Sequence, residues 1–301
     1  MKKKIIITGI SGQDASFLIE ELNKKYDIIG LSRSKTKKNI YKSIQTNYSL
    51  NELKNIIKKY KPKIIFNFAG QSNPNKSWDI PFKTTFSIVD ITLNFLEAII
   101  KTDKKIKFFN SSTSEIFSKK KQIINENSKI EPDNPYACAK AFAHNIVKAY
   151  RTKYKIFAIN GILFNHESSR RSTKYLLKKL VVESINIKNK KQKKIFLNSK
   201  YHVRDISYAK DIVDGIIKIM HSNKNEDFIL ASGKSRSITE ICNTVAKITK
   251  IDKKKILFSN NKNKKISYKI ADISKIKKKL NWKPKYSFEQ LITKMIKDEK
   301  I

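Results

Sequence analysis

The run Ile5-Ile6-Ile7-Thr8-Gly9-Ile10-Ser11-Gly12-Gln13-Asp14-Ala15 reads as a short β-branched strand, a two-glycine turn and the start of a helix. Gly9 permits the tight turn, and Gly12 lets the backbone approach a pyrophosphate closely. The helix that follows offers its free N–H groups and positive dipole end to the anion. Ala15 stands where a third glycine is common and is still small enough for helix–strand packing. With only 7 glycines in 301 residues, each one needs a reason. The strand–turn–helix setting selects a dinucleotide loop over an ordinary turn.

The rest of the chain continues that rhythm. Short apolar runs at Lys4–Thr8, Asp27–Ser32, Lys63–Ala69, Ile106–Ser111 and Phe157–Phe164 read as strands covered on both faces. Helices are expected at Ala15–Lys25, Leu50–Tyr60, Ile88–Ile100 and Tyr136–Tyr150, the last behind Pro135. The expected fold class is α/β: a Rossmann-type doubly wound parallel sheet with a smaller mixed α/β substrate domain. Residues 1–165 are assigned to the dinucleotide-binding domain, with later segments crossing back, and 166–301 mainly to the substrate domain.

Charge excludes less than it suggests. Lys+Arg 65 against Asp+Glu 26 leaves a formal net charge of +39, yet only six of the basic residues are Arg. Bidentate recognition of phosphates and bases favours Arg, so the Lys excess reads as solvated surface. No specific nucleic-acid partner is expected. No apolar run reaches the roughly 18 residues of a membrane span, and the N-terminal apolar run is too short for a signal-peptide core. Cys138 and Cys242 form no disulfide framework, the four His are too scattered for a metal site, and a cytoplasmic location is expected.

Two further features point to acid–base chemistry beside that loop. Tyr136 and Lys140 form an i,i+4 pair on one helix face with small residues between them. A tyrosine, with an ordinary pKa of about 10, is a poor base at neutral pH, and a neighbouring ammonium favours its phenolate. Upstream, a strand ends in Ser111-Ser112-Thr113-Ser114-Glu115, where open α/β sheets gather their catalytic groups. Thr113 can bond a substrate hydroxyl and Glu115 can act as a second acid/base; the plainer reading is a helix-capping cluster. At the end of the second strand Arg33 stands where NAD-binding proteins usually carry an acid, which favours NADP.

Thr8–Asp14, Ser-Thr-Ser-Glu at 112–115, Tyr136-x-x-x-Lys140 and Asn160-Gly-Ile-Leu-Phe-Asn-His-Glu-Ser168 together resemble the GDP-mannose 4,6-dehydratases, extended short-chain dehydrogenase/reductases. The likeness runs from the first strand almost to the C-terminus. It implies an NADP-dependent lyase acting on a GDP-sugar. Its catalytic residues would be Thr113, Glu115, Tyr136 and Lys140. Its cofactor contacts would be Gly9, Gly12, Gln13, Asp14, Arg33, Tyr136 and Lys140, and its substrate contacts Asn165, Lys179 and Arg204. A homodimer or homotetramer is implied as well. Asn47 falls at an adenine-contacting position, Ile91 replaces a glycine of the helix facing the cofactor, and Ile266–Asp272 lacks the family's Arg-Pro segment. A GDP-heptose dehydratase, a sugar-nucleotide epimerase or reductase, and a non-catalytic dinucleotide-binding paralogue are the competing readings.

Overall fold

The computed structural model describes residues 2–34, 40–259 and 266–299. The chain divides into two compact units. The first holds residues 1–118, 128–163 and 216–228, and the second holds 119–127, 164–215 and 229–301.

Strands β1 (Lys3–Thr8), β2 (Tyr26–Ser32), β3 (Lys42–Gln45), β4 (Ile64–Asn67) and β5 (Lys107–Thr113) belong to the first unit, with the strand Ala158–Leu163. They run parallel in the order Ala158–Leu163, β5, β4, β1, β2, β3. The chain builds outward from β1 to β3 and then restarts at β4 on the other side. The switch point therefore lies between β1 and β4, where such sheets open a ligand crevice at their carboxyl ends. Ile6, Ile29, Leu31, Ile65, Phe108 and Ala158 bury one face under Leu53 and Ile57 of helix Leu50–Tyr60, Phe95 and Ile99 of helix Pro81–Thr102, and Val147 of helix Pro135–Tyr154.

Several expected boundaries move, for local reasons. The first helix spans Gln13–Leu22, starting directly after Gly12 and ending before Lys24. Helix Pro81–Thr102 starts seven residues before the expected Ile88. Thr84 and Thr92 return their hydroxyls to the carbonyls of Ile80 and Ile88, so these polar residues fit inside a buried helix. Strand β5 continues through Ser112 and Thr113, which pair with Ile162 and Leu163. The edge strand β3 was not expected, because Lys42-Ser-Ile-Gln carries little apolar signal.

The second unit is mixed. Its three-stranded sheet sets Val203–Tyr208 antiparallel to Ser235–Ser237 and parallel to Asn165–Glu167. Two-residue and three-residue pairs, Ile123–Ile124 with Ile270–Ala271 and Ile195–Leu197 with Ile256–Phe258, accompany it. Helices Ile238–Thr249 and Phe288–Asp298 each begin with a capping box, Ser237/Glu240 and Ser287/Gln290. Trp282 is buried against Gly215, whose added Cβ would sit 2.9 Å from the indole; it is a core anchor. Lys277, Lys278 and Lys279 form exposed helix surface.

Candidate active site

Gly9 has φ +63°, and a Cβ there would lie 2.7 Å from the carbonyl oxygen of Phe68. The turn thus requires glycine both for its backbone conformation and for the close passage of the segment after β4. Gly12 differs. Its N–H closes the turn onto Gly9 O at 2.8 Å, and an added Cβ would meet only that same oxygen, at 3.1 Å. The remaining space beside Gly12 is open, and no side chain caps the helix it begins. Gln13 and Asp14 fill the first turn, Gln13 Nε2 donating to Asp14 at 3.3 Å.

Arg33 is exposed just beyond β2, its carbonyl accepting from Gln45 Nε2 at 3.0 Å. With Asn47, Tyr48, Phe86, Asp90 and Asn94 it lines a cavity of about 770 Å³ within the first unit. Tyr48 anchors one wall by donating to Leu31 O at 2.9 Å. Asn47 uses its side-chain oxygen to accept the Ser49 N–H at 2.7 Å, at the start of helix Leu50–Tyr60. Ile91 is buried and also faces this cavity. The connection that follows Arg33, residues 35–39, lies outside the described residues.

The second constellation is built where helix Pro135–Tyr154 packs against the turn Ser114–Ile116. Asn134 caps the helix by accepting the Ala137 N–H at 2.9 Å, and Pro135 opens it. The Tyr136 ring packs with Ile88, Ala139 and Ala143. One turn on, the buried Lys140 ammonium donates to Ser111 O at 2.6 Å and lies 3.4 Å from its hydroxyl. Burial draws its pKa down to about 8. Thr113 ends β5 and accepts the Glu115 N–H on its hydroxyl at 3.2 Å, leaving the half-buried Glu115 on the turn. Cys138 is exposed, so packing does not demand a small residue there.

Sequence reasoning missed what supports this corner. Asn67, Asn110 and Asn160 occupy one register row across three adjacent strands. Thr8 donates to Asn67 at 2.9 Å and Asn110 donates to Asn160 at 2.9 Å, with Asn67 bonding Asn110 between them at 3.3 Å. The row ends on Asp227, which accepts the Asn160 N–H at 2.9 Å and pairs with Arg151 at 2.6 Å. Equivalent positions on successive parallel strands are the only sequence signal for it.

Three expected substrate residues lie in the second unit. Asn165 sits on the strand Asn165–Glu167 in register with Ile206, and its buried Oδ1 makes no hydrogen bond. Arg204, two residues before Ile206 and so on the same face, donates from Nη1 to Val203 O and Ser267 O, each at 2.9 Å. Lys179 is on helix Leu176–Lys188 and turns elsewhere, donating to Phe196 O at 2.8 Å beside Glu183. Among the described residues there is no group of His, Cys, Asp and Glu that could hold a metal ion, and no helix is long and apolar enough to cross a membrane.

A doubly wound parallel sheet with a Tyr-x-x-x-Lys helix against the end of β5 defines an extended short-chain dehydrogenase/reductase. Solved structures agree on the fold. A UDP-glucose 4-epimerase from Thermotoga maritima matches with TM-score 0.87 at 20% identity, covering 98% of this chain and 97% of that one. A dTDP-glucose 4,6-dehydratase from Bacillus anthracis matches with TM-score 0.85 at 21% identity, covering 98% and 96%. The family model for GDP-mannose 4,6 dehydratase matches residues 6–295. Among relatives, GDP-mannose 4,6 dehydratase 2 of Caenorhabditis elegans is 34% identical over 80% of this chain and 69% of its own length. The human GDP-mannose 4,6 dehydratase is 30% identical over 97% and 90%. The chain belongs to the GDP-mannose 4,6-dehydratase family, a family of lyases.

Proposed function

We propose that this protein dehydrates a GDP-sugar with the help of bound NADP, converting GDP-mannose to GDP-4-keto-6-deoxymannose. The observation that carries the reading is the Lys140 ammonium seated on Ser111, on the strand that delivers Thr113 and leads to Glu115. The first unit fits a dinucleotide, since the space beside Gly12 is open and Arg33 lines a cavity of about 770 Å³. Gly9, Gly12, Gln13 and Asp14 would cradle its pyrophosphate, and Arg33 would meet a 2′-phosphate, which favours NADP over NAD.

When bound, the dinucleotide supplies a reversible two-electron acceptor. Tyr136 takes the O4 proton as C4 becomes a ketone, and Thr113 orients that oxygen. Lys140 holds the ribose, and its positive charge favours the ionised phenol. The 4-ketone acidifies the C5 hydrogen. Glu115 removes that proton and assists departure of the C6 hydroxyl as water. Asn165 and Arg204 of the second unit would meet the diphosphate, whereas Lys179 is engaged with Phe196 O and Glu183 and takes no substrate role. Trp78, Phe82 and Phe142 are exposed apolar side chains of the kind that a homodimer or homotetramer would cover. The two free cysteines suit a reducing cytoplasm.

The test is direct. Purified protein incubated with GDP-mannose and NADP should yield a sugar nucleotide lighter by one water in mass spectrometry, and an unchanged mass would reject the reading. Arg33→Glu should weaken NADP binding by about 10- to 100-fold while leaving NAD binding nearly as it was.

A further inference from the structure

Three side chains lie at four-residue intervals along one face of helix Pro135–Tyr154: Tyr136, Lys140 and His144. The first two enter the chemistry above, and the third is deeper, at 2% exposure. His144 Nδ1 is 3.1 Å from Ser112 Oγ. Its Nε2 is 3.7 Å from Asp227 Oδ2, longer than a hydrogen bond, with this edge of the ring turned to the carboxylate. Asp227 is gripped by Arg151 through Nη1–Oδ1 at 2.6 Å and Nη2–Oδ2 at 3.4 Å. A carboxylate so held only accepts. That places the imidazole proton on Nε2 and leaves Nδ1 to accept the Ser112 hydroxyl. Burial depresses the His144 pKa to about 4 despite the pull of Asp227, so the ring keeps this state at neutral pH.

Ser112 occupies a particular place. The residue before it carries the carbonyl that receives Lys140, and the residue after it carries the hydroxyl that receives the Glu115 N–H. We infer that His144 is a positioning residue: through Ser112 it pins the Tyr136–Lys140 helix to the strand end that presents Thr113 and Glu115, while Asp227 and Arg151 set the orientation of its ring. The inference rests on the proposed assignment of the chemistry to those four residues.

Three variants of the full chain test it: His144→Leu, which removes the acceptor, Ser112→Ala, which removes the donor, and His144→Asn, whose side-chain oxygen replaces Nδ1. Rates are taken per bound dinucleotide, so that unfolded protein does not count. Leu and Ala should each lower kcat for GDP-mannose by about 10- to 100-fold, with KM moved by less than about threefold. Their combination should cost no more than either alone, and His144→Asn should recover most of the rate. Amide hydrogen exchange should speed up at 111–115 and 136–140 in His144→Leu and Ser112→Ala, with β1 and β4 unchanged. An unchanged kcat in both variants, or exchange that rises evenly through the first unit, would overturn the inference. If the wild type does not dehydrate GDP-mannose, it is the functional reading that fails, and the exchange pattern alone decides the role of His144.

Discussion

The two units treat buried polarity in opposite ways. In the first, Thr8, the asparagine row and Asp227 bond one another, and every buried side-chain oxygen among the described residues has a hydrogen-bond partner. In the second, Asn165 Oδ1, the hydroxyls of Ser184, Ser207 and Ser267, and Trp282 Nε1 are buried and make no hydrogen bond. Each such group costs about 1–3 kcal/mol. A unit satisfied from within holds its reacting groups in place before any ligand arrives. A unit with unpaired polar atoms leaves bonding capacity that a polar ligand can complete, and Asn165 is one of its proposed substrate contacts.

The largest effect that can break this contrast belongs to Glu115, on the satisfied side. Glu115→Gln should lower water loss by about 10³-fold while a GDP-mannose-dependent rise in reduced cofactor absorbance persists. Dehydration at the wild-type rate would remove Glu115 from the mechanism.

Next comes pH, where the units should respond with opposite signs. His144 in the first unit has its pKa lowered from 6.5 to about 4 by burial. Between those values the unfolded chain binds a proton that the folded chain refuses, so acidification costs stability, by about 3 kcal/mol at the limit. Asp205 in the second unit is raised from 3.8 to about 6, again by burial, while it accepts the N–H groups of Ser232 and Gly233. Over that range the folded chain keeps a proton that the unfolded chain releases, so acidification adds stability of about the same size. Urea titrations between pH 4 and 6.5 should show a steeper acid loss in Asp205→Asn and a flattened or reversed slope in His144→Asn. Slopes identical to wild type would dissolve the contrast.

The smallest effect sharpens it. GDP at about 100 times its Kd should stabilise the protein by about 2.7 kcal/mol and slow amide exchange at 165–167 and 203–208. NADP should slow exchange at 9–15 and 45–49 instead. Protection of the same segments by both ligands would argue against a division of binding between the units.

What could be read from the sequence follows the same division. The glycine turn after β1 was legible because its requirements are local: Gly9 needs its positive φ, and Ile5–Ile7 need burial. Tyr136 and Lys140 were legible because a helix places i and i+4 together. The asparagine row was not, since Asn67, Asn110 and Asn160 meet only through strand register. His144 passed as one of four scattered histidines because Asp227, its partner, lies far along the chain. Strands such as Ile123–Ile124 and Ile256–Phe258 are too short for periodicity to declare them. Three of the six arginines make structural contacts that their positions in the sequence do not announce. Arg151 clamps Asp227, Arg171 lies 3.6 Å from the Tyr175 ring centroid and Arg236 lies 4.5 Å from that of Phe288.

In the proposed reaction one hexose passes through oxidation at C4, loss of water across C5 and C6, and reduction at C6 without leaving the protein. GDP-mannose carrying deuterium at C4 tests it in a single reaction. The product should hold that deuterium at C6, with NADP neither consumed nor accumulated in reduced form. Deuterium returned to C4, or retained by the cofactor with no water lost, would contradict it.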